Sequence, residues 1–262
     1  MAETAGRAVD SPARAILVAV ALGLGGPLLA FVLSLPIVFL LQSDVITIEI
    51  ALVLALVLGQ YVAFGGLALA SLRIRDLDWA AVRAYLGVRL PSLRTLLAVL
   101  AGWLVIFGSI LAIGFLVQLL GAETAENTTG ELARTSPAII PPLIVAMFLV
   151  VGPSEEILYR GVVQGRLREA LGPVPAIVLA SAIFALIHWF ALTGGASARL
   201  VTVAILFVPS LVFGAVYEYT GNLVAAALLH AIHNSVLLAG LWVAIRLGSD
   251  PALFAPISLA LP

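Results

Sequence analysis

The sequence predicts an all-α fold: a polytopic bundle of about seven transmembrane helices around an active-site cavity within the bilayer. Of the 262 residues, 63% are hydrophobic and 10% are charged, and the mean hydropathy is +1.19. An ordinary globular chain is about half apolar and about a quarter charged, so this chain has too few polar side chains to cover a water-soluble fold. The composition excludes a disordered protein and a nucleic-acid binder, the latter because the net charge is only -1.

Two residue types are missing, and their absence narrows the possible chemistry. The chain has no Cys and no Lys, and all 13 basic residues are Arg. Thiol catalysis, a Cys-based metal site, a disulfide-built secreted domain and Schiff-base chemistry are therefore excluded.

Seven apolar segments are each long enough to cross a bilayer, whose core of roughly 30 Å needs about 20 residues of helix. The first segment is too long and too apolar for a cleaved signal sequence, so we expect it to remain as a span. An eighth, partial span within 250–262 is the alternative to a short C-terminal tail at 247–262. The seven segments are 15–41, 50–70, 95–120, 138–165, 174–192, 200–218 and 223–245.

The polar segments divide the chain into a tail, two groups of spans and a second tail. We predict a polar N-terminal tail at 1–14, the first three spans within 15–137, and a catalytic core at 138–246. The main polar interruption, 71–94, predicts a cytoplasmic amphipathic helix from the pattern of Trp79, Val82, Tyr85 and Leu86. The acidic segment 121–137 is predicted to be an exposed loop.

The arginines are distributed unequally between the two ends of the predicted bundle. With a cytoplasmic N-terminus, the inner segments hold ten arginines and the outer segments hold three, Arg134, Arg199 and Arg246. Because positive residues are enriched on the cytoplasmic side, this predicts a multi-pass protein of the cell membrane with its N-terminus in the cytoplasm. The ten inner residues are Arg7, Arg14, Arg73, Arg75, Arg83, Arg89, Arg94, Arg160, Arg166 and Arg168.

Polar residues inside the spans are concentrated in the C-terminal half of the chain. Ionisable groups within a transmembrane segment are costly and by default indicate a functional site. All three His residues of the chain belong to this set. The set comprises Glu155, Glu156 and Arg160 in the fourth span, His188 in the fifth, and His230, His233 and Asn234 in the seventh.

Counting from the turns places three of these residues at one height in the membrane. Glu155 lies 16 residues before the turn that begins at Leu171, and His188 lies 17 residues after it, so the two side chains can meet side by side. With the membrane boundary near Arg166, a rise of 1.5 Å per residue places Glu155 about 16 Å deep, and His230, nine residues past Gly221, lies about 14 Å deep. Asn234 follows His230 by about one helical turn and shares its face.

A Glu, two His and an Asn at one depth suit the attack of water on an amide. A carboxylate in a low-dielectric site can act as a general base near neutral pH, and a neighbouring imidazole can share the proton or orient the water. A second His and an amide offer hydrogen-bond donors to an oxyanion. The alternative is a zinc ion held by Glu155, His188 and His230, although an Asn amide is a poorer ligand and the sequence has no His-Glu-x-x-His motif.

The remaining residues of interest have structural interpretations. Glu156 and Arg160 are four residues apart on a helix and are expected to form an ion pair. His233 lies on another face from Asn234 and is expected to be structural. Phe184, one turn before His188, is expected to be a packing wall, or else to shape a substrate groove. A small-x-x-x-small pair at Gly161 and Gly165 is expected to serve helix packing.

Three short motifs resemble those of a known family. Residues 155–160 match EExxxR, residues 184–188 match FxxxH, and residues 230–234 match HxxxN. In this order and on separate spans, they resemble the CPBP group of intramembrane proteases. That group includes the CAAX prenyl endopeptidases of the Rce1 type and the Abi group of bacteriocin-processing or immunity relatives. The resemblance covers roughly residues 138–246.

The resemblance implies a helical membrane fold whose cavity opens toward the cytosol. It implies that Glu155 and His188 activate the water, that His230 and Asn234 stabilise the oxyanion, and that Glu156 and Arg160 support the site. We prefer a mechanism without a cofactor, because an Asn opposite the base serves an oxyanion better than it serves zinc; zinc is the alternative. The expected partners are the lipid bilayer and a membrane-associated peptide or lipidated protein, with a prenylated CAAX-type tail as one option.

Two other classes of function are compatible with buried Glu and His residues. A proton-coupled transporter also uses such residues, but the sequence shows no inverted repeat and no matching pair of broken helices. A non-catalytic membrane scaffold or bacteriocin immunity factor could share the family's helices without its chemistry.

Overall fold

The computed structural model describes residues 11–248 and is helical almost throughout. It confirms the all-α polytopic fold, because seven helices in the described range are long and apolar enough to cross a membrane. Most of the expected N-terminal tail, and the region of the expected C-terminal tail or eighth span from 249 on, lie outside the described residues. The seven spans are Pro12–Gln42, Ile48–Arg73, Leu93–Leu120, Pro137–Ala170, Pro173–Ala191, Ala196–Thr220 and Leu223–Arg246.

Polar caps and glycines set the ends of the spans. The Ser92 side chain accepts the N–H of Thr95 at the start of the third span, and Asn222 caps the seventh span in the same way. The third and sixth spans end at Gly121 and Gly221, whose φ angles of 58° and 54° lie in the left-handed region that favours glycine. At Gly221 and Asn222 these ends allow the chain to reverse within two residues.

Consecutive spans run in opposite directions, so their connections alternate between two ends of the bundle. The connections at 74–92, 171–172 and 221–222 lie at one end, which we call the arginine-rich end. The connections at 43–47, 121–136 and 192–195 lie at the other end, which we call the ribbon end after its two short strands.

The amphipathic helix expected in the first polar interruption is present at Trp79–Leu86. Val82 and Leu86 are buried, whereas Trp79 is 64% exposed. The helix packs on the small residues of the fourth span, where a Cβ atom on Gly165 would lie only 2.7 Å from the Tyr85 hydroxyl. The glycine pair of that span therefore serves packing.

The acidic residues of segment 121–137 are exposed, as predicted, but the segment is not a loop throughout. Strand β1 (Glu126–Asn127) pairs antiparallel with β2 (Leu192–Thr193), and a helix follows at Thr128–Thr135. The backbone N–H of Ala125 donates to Thr202 on the sixth span at 2.9 Å. Contacts with residues that are distant in the sequence order this segment, so its own composition could not predict that order.

A proline in the first span creates a contact with the fourth span. Pro27 has no N–H to donate to the carbonyl of Gly23, one helical turn earlier. The hydroxyl of Tyr159 donates to that carbonyl at 2.9 Å. A tyrosine of one span thus replaces the backbone hydrogen bond that another span lacks, as a bilayer interior requires.

A second proline creates the same arrangement between the second and fourth spans. Pro153 leaves the carbonyl of Leu149 without its helical donor. The hydroxyl of Tyr61 donates to it at 2.5 Å. Nearby, the backbone widens into π-helical stretches at Leu56–Gly66 and Met147–Val151.

Candidate active site

The fourth span places two adjacent carboxylates inside the bundle. Glu155 and Glu156 lie in one α-helical turn between two π-helical stretches, an arrangement that is frequent at functional sites. Glu155 is 6% exposed and Glu156 is fully buried. Gly152, in the same turn, lets the seventh span approach closely, because a Cβ atom there would lie 3.0 Å from the carbonyl oxygen of Ala227.

The seventh span directs His230 at both carboxylates. Its Nδ1 atom lies 2.9 Å from Oε1 of Glu156, and its Nε2 atom lies 4.0 Å from Oε2 of Glu155. The ring stacks on Phe213, with 4.9 Å between the ring centroids. His230 therefore lies between two acids, a contact with Glu156 that the sequence did not predict.

The expected ion pair between Glu156 and Arg160 is present and completely buried. The Arg160 Nε atom lies 3.0 Å from Oε2 of Glu156. The guanidinium also donates to Ser181 at 3.3 Å and to Ser210 at 2.8 Å. Because Glu156 is paired with a permanent cation, it is an ionised acceptor, so we assign the Nδ1 hydrogen of His230 as the donor to it.

His188 lies at the end of the fifth span and is oriented by that helix end. Its Nδ1 atom lies 2.7 Å from the carbonyl oxygen of Phe184. That carbonyl is available because the backbone N–H groups at this helix end donate to the carbonyls of Ala185 and Leu186 instead. A carbonyl only accepts, so Nδ1 carries the hydrogen and Nε2 of the neutral ring is an acceptor.

Glu155 and His188 share a cavity but do not touch as the equal-height count suggested. None of the hydrogen bonds or ion pairs of the described residues joins these two side chains; Glu155 contacts Gln60 and His230, and His188 contacts Phe184. Both residues line the same cavity, so the count brought them to one region of the bundle. The His188 ring is held there by the carbonyl of Phe184 and not by a hydrogen bond to the acid.

Phe184 is a packing residue rather than a wall of the cavity. It is 3% exposed, and its ring centroid lies 4.8 Å from that of His188 and 5.9 Å from that of His230. The Arg160 guanidinium lies 5.3 Å from the same ring. One aromatic ring therefore fixes the positions of both imidazoles and of the buried cation.

Gln60, in the second span, belongs to the site although no motif pointed to it. Its Nε2 atom donates to Oε1 of Glu155 at 3.1 Å. The Gln60 Oε1 and Glu155 Oε2 atoms are both buried and have no hydrogen-bond partner among the described residues. The available signal was a single amide in the middle of an otherwise apolar span, which the search for ionisable groups passed over.

A cavity of about 450 Å³ lies beside these residues. Glu155, His188, Asn234 and Gln60 line it together with apolar side chains. The Asn234 Nδ2 atom makes only a weak contact with the Met147 sulfur at 3.7 Å, so its N–H groups are available to a better acceptor. Most of the wall is apolar, which suits a substrate embedded in lipid.

The cavity extends toward the ribbon end of the bundle. Asn127, Thr129, Leu132 and Phe190, all at that end, are among its lining residues. The arginine count predicts that this end is outside the cell, whereas the family resemblance predicts a cavity open to the cytosol.

His233 stays apart from the cavity, as expected. It is 4% exposed, its ring lies 6.1 Å from that of Phe213, and its Nε2 atom has no hydrogen-bond partner within the described range. It does not line the cavity.

The residues of the zinc alternative do not form a ligand set. Among residues 11–248 no group of three or more His, Asp or Glu side chains is arranged to hold a metal ion. The 4.0 Å between Nε2 of His230 and Oε2 of Glu155 exceeds the separation of two ligands on one tetrahedral zinc ion. We therefore derive no step through a metal.

A comparison with known protein families finds a match in this part of the chain. Residues 137–236 match the family model described as Type II CAAX prenyl endopeptidase Rce1-like. The matched segment contains Glu155, His188, His230 and Asn234, and it confirms the resemblance drawn from the three motifs. No curated protein and no solved structure matches the chain.

Proposed function

We propose that this chain, which carries an Rce1-like endopeptidase domain at residues 137–236, cleaves its substrate by metal-free general-base catalysis. The family supports an intramembrane endopeptidase acting on a membrane-associated protein. The observation that carries the catalytic part is the Oε2 atom of Glu155, which is buried and has no hydrogen-bond partner among the described residues, in a side chain that lines the cavity. Such an atom is suited to accept a proton from a water molecule.

In this proposal, Glu155 and His188 hold the attacking water between them. The water donates one hydrogen to Oε2 of Glu155 and the other to Nε2 of His188, which is an acceptor because Nδ1 donates to Phe184. Gln60 acts as a positioning residue by holding the second oxygen of Glu155 at 3.1 Å. The water oxygen then attacks the carbonyl carbon while its proton passes to Glu155.

The oxyanion formed by this attack is met by the seventh span. The Asn234 Nδ2 group can leave the Met147 sulfur and donate to the oxyanion. His230 presents an N–H at Nε2 only when its ring carries both hydrogens. The two carboxylates, Glu155 and Glu156, then face two cations, Arg160 and the His230 ring, so the buried cluster has no net charge. Breakdown returns the proton from Glu155 to the leaving nitrogen, the C–N bond breaks, and a carboxyl group and an amine are released.

The test is to find a natural precursor and cleave it with purified protein. Membranes of a strain carrying Glu155→Gln are compared with wild type by mass spectrometry, and a precursor that accumulates is isolated and incubated with the wild-type enzyme in lipid vesicles. We expect cleavage by wild type and none by Glu155→Gln. The matched control is Glu218→Gln, at the arginine-rich end, which should cleave normally.

The same experiment separates an enzyme from a scaffold. A scaffold or immunity factor would show no precursor and an unchanged phenotype in a folded Glu155→Gln protein. That result would overturn the catalytic proposal.

A further inference from the structure

Asn127, in strand β1, carries a hydrogen-bond donor that nothing in the described part of the chain accepts. Its Oδ1 atom accepts the backbone N–H of Thr129 at 2.7 Å and so caps the helix Thr128–Thr135. This donor identifies the oxygen of the amide, so the other terminal atom is Nδ2, with two hydrogens to donate. The residue is 5% exposed and lines the cavity, and its Nδ2 atom is buried without a hydrogen-bond partner among residues 11–248.

A second asparagine shows that such an amide does not by itself indicate a ligand. Asn222 caps the seventh span in the same way, by accepting the N–H of Val224 at 3.1 Å. Its Nδ2 atom is also buried and has no partner within the described range. The two asparagines differ in that Asn127 lines the cavity and Asn222 does not. A donor in the cavity wall can be used by a molecule that enters the cavity.

Contacts on both sides of Asn127 fix its position before any substrate binds. Its backbone is paired with Leu192 of β2. Two residues earlier, the N–H of Ala125 donates to the Thr202 hydroxyl at 2.9 Å, and that hydroxyl lies 3.2 Å from the carbonyl oxygen of Ala125. A group that is already ordered loses little conformational freedom on binding, so its hydrogen bond contributes more to affinity.

The pairing with Leu192 also relates Asn127 to the catalytic residues. A 3₁₀-helix at His188–Ala191 leads from His188 directly to Leu192. At about 2 Å per residue, this helix places Leu192 about 8 Å beyond His188. An extended polypeptide covers about 3.3 Å per residue, so this distance corresponds to roughly two to three residues of substrate.

We propose that Asn127 binds the substrate by donating its side-chain amide to a main-chain carbonyl, about two to three residues from the scissile bond. The proposal rests on the endopeptidase function proposed above and adds a subsite to it. A polypeptide in a mostly apolar cavity brings carbonyl groups that need donors, because no bulk water is there to supply them. Every residue has such a carbonyl, so the contact aligns the chain of the substrate without reading its side chains.

The test uses two substitutions that keep the helix cap and remove the amide donor. Asn127→Asp retains an acceptor for the N–H of Thr129, and Asn127→Ser supplies a shorter, uncharged cap. The matched controls are Asn222→Asp and Asn222→Ser, which make the same changes outside the cavity. Each full-length protein is reconstituted in lipid vesicles, and the steady-state cleavage of the precursor isolated from the Glu155→Gln strain is measured.

We expect both Asn127 variants to raise KM by about 3- to 10-fold with kcat unchanged, because a hydrogen bond to a neutral carbonyl contributes equally to the bound substrate and to the transition state. Both Asn222 variants should keep the wild-type constants. An unchanged KM in a folded Asn127 variant would overturn the proposal. A loss confined to kcat, or an equal rise of KM in the Asn222 variants, would also overturn it.

An ester scan of the substrate tests the position of the contact. In synthetic peptides that span the cleavage site of the precursor, one main-chain amide at a time is replaced by an ester, whose carbonyl is a weaker acceptor. The ester that raises KM for wild type but not for Asn127→Ser identifies the carbonyl that Asn127 binds. We expect it about two to three residues from the scissile bond. Coupling at the scissile residue itself, or at no residue, would contradict the proposed subsite.

Binding without turnover separates this subsite from the endopeptidase proposal. In a Glu155→Gln background, adding Asn127→Asp should raise the Kd of the precursor by the same factor as it raises KM. Weakened binding of a precursor that wild type does not cleave would contradict the endopeptidase proposal alone. Normal cleavage with unchanged KM and Kd would contradict the subsite alone. A Glu155→Gln strain that accumulates no precursor would overturn the endopeptidase proposal, and the subsite with it.

Discussion

The Nδ1 atom of His230 lies 2.9 Å from Glu156, so the second of two adjacent carboxylates orients the ring whose other nitrogen faces the first. Glu156 is further held by Arg160 at 3.0 Å, whereas the Oε2 atom of Glu155 has no hydrogen-bond partner among the described residues. Two identical residues side by side thus have different surroundings. Glu156 has a structural role, and Glu155 is available for catalysis.

Replacing Glu156 by Gln should destabilise the protein strongly. The change leaves the Arg160 guanidinium buried without its counter-ion, and breaking a buried pair in this way costs about 3–5 kcal/mol. Chemical unfolding of the purified protein in detergent measures the loss. The matched control is Glu218→Gln, which removes an ion pair to Arg168 whose two side chains are 29% and 45% exposed, and should cost about 0–1 kcal/mol. Equal losses in the two variants would contradict this account of the buried pair.

Replacing Gln60 by Ala should lower kcat more than it raises KM. A hydrogen bond to a charged group contributes about 1.5–3 kcal/mol, which corresponds to a loss of about 10- to 100-fold in rate if the contact orients Glu155. Steady-state kinetics on the isolated precursor measure both constants. Gln42→Ala, an exposed amide at the end of the first span, is the control. A change in KM alone would assign Gln60 to substrate binding instead.

Replacing His188 should reduce turnover, whereas replacing His233 should not. His188→Ala removes the acceptor for the attacking water and should reduce kcat by about 10²–10⁴, the usual contribution of such a group. His233→Leu should keep full turnover and raise the thermal unfolding temperature, because it removes a buried, unpartnered nitrogen that costs about 1–3 kcal/mol. Loss of turnover in His233→Leu would place that residue in the mechanism.

The contact between Tyr61 and the Leu149 carbonyl can be tested by a double-mutant cycle. Tyr61→Phe should destabilise the protein by about 1–3 kcal/mol, since it leaves a carbonyl in the bilayer without a donor. Pro153→Ala supplies the missing backbone N–H, so Tyr61→Phe should cost little in that background. Unfolding of the four proteins under identical detergent conditions gives the coupling energy. Additive effects would show that the proline and the tyrosine do not act on the same carbonyl.

Chelation distinguishes the two protease mechanisms. Dialysis against a zinc chelator should leave precursor cleavage unchanged, because the described side chains do not converge as zinc ligands. Activity and metal content are measured on the same sample. Stoichiometric zinc whose removal and return switch cleavage off and on would establish the metal-dependent alternative.

Sequence reasoning located the spans and the polar residues because both rest on local composition. The seven predicted segments overlap the seven observed spans, since an apolar run of this length has few other stable states in a membrane. The Glu156–Arg160 pair also follows from helical spacing. Each of these depends only on residues close in the chain.

What the sequence missed depends on how distant segments are rotated against one another. Gln60 reaches Glu155 from a π-helical stretch, where the 3.6-residue repeat no longer tells which side chains face inward. The order at 121–137 comes from contacts with Leu192 and Thr202, more than 60 residues away in sequence. The lining of one cavity by Glu155 and Asn127 likewise follows only from the packed bundle.

The hydroxyls that replace missing backbone hydrogen bonds also bear on how the chain is assembled during translation. Tyr61 is synthesised before Leu149, so its hydroxyl is already in the membrane when the fourth helix arrives. Gly23 is synthesised long before Tyr159, so its carbonyl lacks this hydrogen-bond donor until the fourth helix is made. When the fourth helix, which carries both acids, enters the bilayer, the hydroxyl of Tyr61 and the carbonyl of Gly23 are already there as its donor and its acceptor. These two groups favour insertion of the fourth helix against the first two helices rather than among lipids.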